Sequence, residues 1–443
     1  MTVIPHWLEK RAMLSPNDIA VQFVNGEKVT FQTLREDAIH FAKQLHALGV
    51  QPKSRISLLS NNSYNMVVAI HALSYLEVTV VLLNTKLAQG ELLFQFNDSD
   101  STICIYADEL KGKIEKIRDQ QNSLTYSFSE IKRASAKAFT LPTEIHLDDV
   151  FTIMYTSGTT GFPKGVLHTY GNHFWSATAS ALNLGIHEED KWLATLPLFH
   201  VSGLSILIKS VLYGMPVHLH EKFEMNAFMK DILENGVTIV SVVTVMLEQL
   251  LRELGNREVP ASLRCVLLGG GPAPKPLLER CKDKSIPVFQ SYGMTETASQ
   301  IVTLSNKDAL RKIGSAGKPL FPAQLKIVID GKEAAPNEVG EIVVKGPMVT
   351  NGYYNRDEAN RETIKDGWLF TGDLGYVDDE GFLYVLDRRK DLIISGGENI
   401  YPAEVEGVLK AVEGIVDAGV IGVPDEKWGQ VPVAFVVKES KDS

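Results

Sequence analysis

The stretch that most restricts how this chain can fold is residues 156–165, Thr-Ser-Gly-Thr-Thr-Gly-Phe-Pro-Lys-Gly, which follows directly on the apolar run 150–155. Such a run reads as a buried strand, so the loop must leave the end of a sheet. Its three glycines permit tight turns, its four hydroxyls and bare backbone N–H groups can donate to phosphate oxygens, and Lys164 adds a charge. The spacing excludes a Walker loop, because Gly158 and Gly161 are two residues apart and Lys164 is followed by Gly165. A flexible surface loop is the plain alternative, but a linker rarely joins so many hydroxyls to a Pro-Lys-Gly ending behind a buried strand. A second glycine run, residues 269–274, also follows a strand-like segment. Pro274 stands where a dinucleotide fingerprint needs its third glycine, so a tight strand-to-helix turn against a planar ligand fits better.

The surrounding pattern supplies the sheet. Residues 31–48 place apolar side chains at helical spacing, 55–60 form a short apolar run, 61–75 read as a helix and 78–83 as a strand. That order predicts β-α-β units and a parallel sheet, and 237–245 with 265–268 repeat it. Residues 108–148 are polar and weakly patterned, and read as a surface excursion. After about residue 313 the runs alternate, as at 340–345 and 382–386, with turn residues at 378–381. Beyond the charged segment 387–391 a helix at 402–412 and strands at 415–423 and 431–437 predict a small α+β unit. Its polar end at 438–443 falls where such a unit ought to continue.

Charge and cysteine content narrow the function classes. A net charge of −10 argues against non-specific binding to nucleic acid or anionic membrane, and requires a locally positive pocket for any anionic ligand. The N-terminus lacks the pattern of a signal peptide, and the apolar runs 78–83 and 237–247 are too short or interrupted to span a bilayer. Cys104, Cys265 and Cys281 show no C-x-x-C spacing, so a disulfide framework or cysteine zinc site is not expected. A soluble, cytoplasmic protein without membrane insertion follows, with a homo-oligomer left open.

Five motifs then stand in one order: the 156–165 loop, Leu-Phe-His at 198–200, Ser-Tyr-Gly-Met-Thr-Glu at 291–296, Thr-Gly-Asp at 371–373, and 387–391 followed by Gly-Gly-Glu-Asn at 396–399. With them the whole chain resembles the adenylate-forming superfamily of acyl-CoA synthetases, luciferases and peptide-synthetase adenylation domains. The resemblance implies an α/β fold. A large N-terminal domain, 1–387, would hold layered β-sheets with helices and a distorted β-barrel subdomain. A small mobile α+β C-terminal domain, 388–443, would turn about a hinge near Lys390. The stretches 83–87, 168–173, 266–274 and 289–304 resemble the acid–thiol ligase branch that acts on 2-succinylbenzoate in menaquinone biosynthesis.

The resemblance also implies roles. ATP, Mg²⁺ and coenzyme A would be the cofactors, and an aromatic dicarboxylic acid the substrate. Thr156, Ser157, Gly158, Thr159, Thr160, Gly161 and Lys164 would hold the β- and γ-phosphates, Thr295 the α-phosphate, and Glu296 the Mg²⁺. Thr295 and Glu296 also suit a helix cap with an acidic first turn, and an anion site is compatible with that. Tyr292, between Ser291 and Gly293, would stack on adenine opposite Gly270, Gly271 and Pro272, and Asp373 with Arg388 would bind ribose. His200 would position the reacting carboxylate, with Gly203 and Leu204 lining the acyl pocket. A second, unreacted carboxylate needs a cation or donors, for which Lys209, Ser299 and Gln300 are candidates, although Lys209 is equally an ordinary solvated lysine. Gly396 and Gly397 would border the coenzyme A arm.

The superfamily's C-terminal lysine, which bridges carboxylate and α-phosphate, lies past residue 443. If 443 is the terminus, adenylation is expected to be weak and thioester formation less affected. The alternatives are a fatty-acyl or aryl-CoA ligase, a luciferase-like oxygenase, and a nucleotide-binding regulator without catalysis.

Overall fold

The computed structural model describes residues 2–120, 123–156, 162–270, 275–387, 393–400, 402–410 and 412–438. The apolar runs of the first third form the middle of a six-stranded sheet. Arg55–Leu59 lies between Thr79–Leu83 and Ile103–Tyr106, all parallel. Val150–Thr156 extends the sheet in parallel beside Thr79–Leu83, and Lys164–Thr169 folds back antiparallel on it. Strands buried on both faces must be apolar throughout, which explains why these runs do not alternate. The helices Phe31–Ala47 and Tyr64–Tyr75 cover this sheet. Ser63 caps the second by accepting from Met66 N, and ten of its twelve residues are buried.

The second sheet is longer and mixed. Ile19–Phe23, Val217–Leu219, Trp192–Ala194, Ile239–Val242, Cys265–Leu268 and Val288–Met294 run parallel in that spatial order. Ser299–Leu304 then returns antiparallel, and Ser315–Pro319 carries the pairing into the antiparallel strands Leu383–Asp387, Trp368–Val377, Gly340–Lys345 and Gln324–Ile329. The change to alternating patterning after residue 313 marks this antiparallel region, where one face is covered and the other wet. Ile393–Ser395, Glu398–Ile400, Ile415–Asp425 and Gly429–Lys438 make a separate four-stranded sheet with the helix Pro402–Lys410.

The segment 108–148 is not the surface excursion its composition suggests. The turn Asp108–Ile114, the helices Glu115–Arg118 and Phe128–Arg133 and the edge strand Leu124–Ser127 bury Ile114, Ile117, Phe128 and Ile131 against the first sheet. Its apolar residues are single and widely spaced, so no window carries a clear period. All three cysteines are free and buried, and burial pushes each thiol up to about 12. Among the described residues no helix is long and apolar enough to cross a membrane.

Candidate active site

Strand ends from both large sheets and a turn of the small sheet enclose one cavity of about 1420 Å³. Thr156 and Lys164 face each other as register partners at the loop end of their hairpin, so the loop between them starts and finishes at the cavity wall. Ser157, Gly158, Thr159, Thr160 and Gly161 lie outside the described residues. Lys164 Nζ sits 5.3 Å from the centre of the Tyr353 ring, a cation–π distance. The Tyr353 hydroxyl in turn donates to Glu296 Oε1 at 2.9 Å.

Thr295 and Glu296 sit on a tight turn, Thr295–Thr297, directly after the strand Val288–Met294. The turn reverses the chain so sharply that a Cβ on Gly293 would collide with Ser299 O, which is why this motif needs glycine there. His168 supports the turn from beneath, Nε2 donating to Thr295 O at 2.6 Å. Burial pushes the His168 imidazole down to about 4 against the opposing pull of that hydrogen bond, so the ring is neutral at pH 7.

On the nucleotide side Gly270, Ser291 and Gly293 line the cavity. Tyr292 lies between the last two on a strand, so its side chain points to the opposite face. It is 4% exposed and packs in a core with Val302 and Leu383, and its hydroxyl donates to Asp373 Oδ2 at 2.8 Å. Asp373 itself borders the cavity. The structure therefore joins Tyr292 to the proposed ribose site as a buried support of Asp373. Gly271, Pro272, Arg388 and Lys390 fall outside the described residues.

The acid side is built on the helix Val201–Tyr213, which begins at His200. Ser202, Ser205 and Lys209 recur at helical spacing and face the cavity with His200. Gly203 and Leu204 do not line the cavity as expected. A Cβ on Gly203 would collide with Pro197 O, and Leu204 is fully buried in the main core. Both lie on the flank of the helix that packs against its own scaffold. Lys209 is 1% exposed, its Nζ is 4.6 Å from the Trp192 ring centre, and no carboxylate pairs with it among the described residues. Burial lowers it to about 8, with the neighbouring Cys265 pulling weakly the other way. Ser299 and Gln300 also line the cavity, and Gln300 Nε2 reaches Ser180 Oγ at 3.4 Å.

Gly396 and Gly397 reach the cavity from the small sheet, with Gly396 N donating to Trp428 O at 2.8 Å. The next residue, Glu398, was not among the sequence candidates. One of its oxygens is 2.7 Å from Lys86 Nζ and the other 3.4 Å from His200 Nε2. The second is a close approach of the two side chains, in which His200 Nε2 meets no partner with hydrogen-bond geometry. Lys86, Tyr353 and His168 were likewise unmarked. Glu398 stands in the 396–399 motif beside its glycines, and Lys86 and His168 stand in the stretches 83–87 and 168–173, without a role assigned to any of them.

The cavity thus holds a cation and a tyrosine-held carboxylate at one end, a buried carboxylate against a tyrosine beside it, and a buried lysine at the other end. Comparison with known proteins places the chain among enzymes of known reaction. The AMP-binding enzyme family matches residues 8–354, and the AMP-binding enzyme C-terminal domain matches residues 404–443. A 2-succinylbenzoate–CoA ligase of Oceanobacillus iheyensis is 56% identical over 433 residues, 98% of this chain and 89% of the relative. Among solved structures, a double mutant of o-succinylbenzoate CoA synthetase from Bacillus subtilis, bound with its product analogue OSB-NCoA, superposes with a TM-score of 0.95. It is 50% identical and covers 100% of this chain and 90% of its own. The same enzyme in complex with the acyl-adenylate intermediate OSB-AMP, at the same identity and coverage, gives 0.85. In complex with ATP and magnesium ion it also gives 0.85, at 50% identity over 100% of this chain and 91% of its own.

Proposed function

The chain belongs to the AMP-binding enzyme family, and we infer that it is an AMP-forming acid–thiol ligase that converts 2-succinylbenzoate to 2-succinylbenzoyl-CoA, a step of menaquinone biosynthesis. The observation that carries the substrate is Lys209, a buried cation facing the cavity on the acid side with no carboxylate beside it among the described residues. An unpaired buried charge is costly, and a ligand carboxylate relieves that cost. A fatty-acid site has no use for such a group.

In the first step a carboxylate oxygen of the acid bonds to the α-phosphorus of ATP while the bond to pyrophosphate breaks. The reacting phosphoryl oxygens carry spread negative charge, so positioning and oriented donors do most of the work. Lys164, Thr156 and the hydroxyls of 157–160 hold the leaving phosphates, and Thr295 meets the α-phosphate. Glu296, kept in place by Tyr353, suits a hard cation such as Mg²⁺, which neutralises phosphate charge when bound. Asp373, with Tyr292 behind it, accepts from the ribose hydroxyls. Gly270 with 271 and 272 borders the base. His200 orients the reacting carboxylate, and Lys209 with Ser299 and Gln300 receives the other one.

In the second step the thiol sulfur of coenzyme A bonds to the acyl carbon, the bond from that carbon to AMP breaks, and the thiol proton is released. Gly396 and Gly397 border the path of the thiol arm, and Glu398 docks on His200. The higher similarity to the form bound with the coenzyme A product analogue supports assigning this arrangement to the second step. The large unit, 1–387, and the small unit, 388–443, would turn about the hinge near Lys390. A compartment holding ATP, coenzyme A and reduced thiols, the cytoplasm, suits both the reaction and three free cysteines.

Acid-dependent pyrophosphate exchange tests the reading. Exchange stimulated by 2-succinylbenzoate and much less by benzoate or fatty acids is expected. Stimulation by a fatty acid alone would assign the chain to the fatty-acyl branch.

A further inference from the structure

Away from the groups assigned above, the strand Val217–Leu219 and the helix Met225–Leu233 bring three ligand-type side chains together. His218 and His220 are two residues apart on one extended segment and so share a face. Asp231 meets them from the helix. All three are at most 1% exposed, and one ligand atom from each lies within 4.8 Å of the others. His220 Nε2 contacts Asp231 Oδ2 directly. His218 Nε2 lies 3.5 Å from the same oxygen without making a hydrogen bond.

His218 is the odd member. Neither of its ring nitrogens meets a partner with hydrogen-bond geometry, although the Phe23 backbone lies close to the ring. A fully buried imidazole with both nitrogens unmet is rare in a native core, where nearly every such group is paired. Asn235 Nδ2 donates to Asp231 Oδ1 at 2.6 Å, holding the carboxylate as an outer partner does. Ligand atoms about 2.1 Å from a tetrahedral ion stand roughly 3.4 Å apart. The gap from His218 Nε2 to Asp231 Oδ2 is 3.5 Å, close to that spacing, whereas His220 Nε2 and Asp231 Oδ2 stand in direct contact and would part to admit the ion.

We propose that His218, His220 and Asp231 form a buried site for a divalent first-row transition metal, zinc being the ion whose taste for imidazole and carboxylate fits the set. The site lies apart from the Mg²⁺ position assigned to Glu296, and its role is structural. Asn62 donates to His220 O at 3.1 Å and to Leu196 O at 3.0 Å, while Leu198 N donates to Asn62 Oδ1 at 2.8 Å. The residues after His220, Glu221 to Phe223, line the cavity. A metal here would clamp the strand end that carries this wall.

The test is a Co²⁺ titration of the full chain, freed of metal by chelation and without ATP, with Zn²⁺ as competitor. One Co²⁺ per chain is expected, with visible d–d absorption of a four-coordinate site, bleached by Zn²⁺. The band should persist in Glu296→Gln and vanish in His218→Gln and Asp231→Asn. Circular dichroism accompanies each titration, because substitutions this deep can unfold a chain. A Zn²⁺-induced rise in the Tm of the unsubstituted protein is the second readout. No stoichiometric binding to that protein, or a folded His218→Gln that keeps both the band and the Tm rise, overturns the proposal.

Discussion

Glu398 Oε2 lies 3.4 Å from His200 Nε2, so a side chain of the small sheet closes on the residue that begins the acid-side helix. The other oxygen, 2.7 Å from Lys86, ties the same carboxylate to the opposite wall. Burial pushes Glu398 up, but His200 and Lys86 outweigh it and bring it down to about 2. The contact exists only while the small unit is docked. On the proposed two-step reading, His200 would meet the acid in the first step and Glu398 in the second.

Glu398→Gln should slow thioester formation from supplied acyl-adenylate more than it slows pyrophosphate exchange. A hydrogen bond or close contact to a charged group is worth about 1.5–3 kcal/mol, or roughly 10- to 100-fold. Lys86 is largely exposed and adds little. Equal losses in both half-reactions would make Glu398 a general structural residue.

Docking should also depend on pH with a defined sign. The Glu398 carboxyl is depressed in the docked form, so its contribution is full above its undocked value of about 4.3 and is lost as pH falls towards about 2. A distance probe between the two units should show no loss of the docked form between pH 7 and 5 from this group, and undocking only below that window.

Lys209→Met should lower kcat/KM for 2-succinylbenzoate by about 100-fold or more, while a monocarboxylic analogue loses far less. The lysine is lowered to about 8 by burial, so kcat/KM for the dicarboxylate should fall as pH rises through 8. Stability moves the other way. A lysine whose folded value lies below its unfolded value of about 10.4 opposes folding most below pH 8, and that cost is relieved between 8 and 10.4. Methionine should remove the cost altogether and raise the urea midpoint at pH 7.

Much of this was legible before any coordinates, for reasons that differ by residue. Arg55–Leu59 and Thr79–Leu83 announce themselves because strands buried on both faces carry unbroken apolar runs. The motif residues reach one cavity because Thr156 and Lys164 flank their loop, Glu296 sits on a tight turn, and Asp373 follows Gly372, φ +74°, within the strand Trp368–Val377. Gly203 and Leu204 fall away from the cavity because neighbouring positions on a helix differ by about 100° in direction, and Val201, Ser202, Ser205 and Lys209 face inward. Tyr292 was expected in the cavity but alternates away from Ser291 and Gly293. His168, Tyr353 and Lys86 are separated by long stretches of chain from the groups they touch, and no local pattern encodes such pairings.

Tyr353→Phe keeps the ring beneath Lys164 and removes only the donor to Glu296. A loss of about tenfold in kcat/KM for ATP with Mg²⁺ is expected from one hydrogen bond to a charged group. Glu296→Gln should cost about 100-fold or more. Steady-state kinetics over a Mg²⁺ series would separate the two, since only the tyrosine variant should recover part of its loss at high Mg²⁺.

Gly203→Ala should destabilise the protein by about 2–3 kcal/mol, because the new Cβ would overlap Pro197 O and force the start of the helix outward. Thermal melting measures the loss, and a change within about 0.5 kcal/mol would show that the 197–203 turn yields easily.

The most direct measurement is mass spectrometry of single-turnover mixtures with ATP, Mg²⁺ and 2-succinylbenzoate, first without and then with coenzyme A. The predicted result is 2-succinylbenzoyl-AMP in the first mixture and its conversion to 2-succinylbenzoyl-CoA with release of AMP in the second. Adenylate and thioester formed from a monocarboxylic acid in preference to 2-succinylbenzoate would contradict the account at its centre.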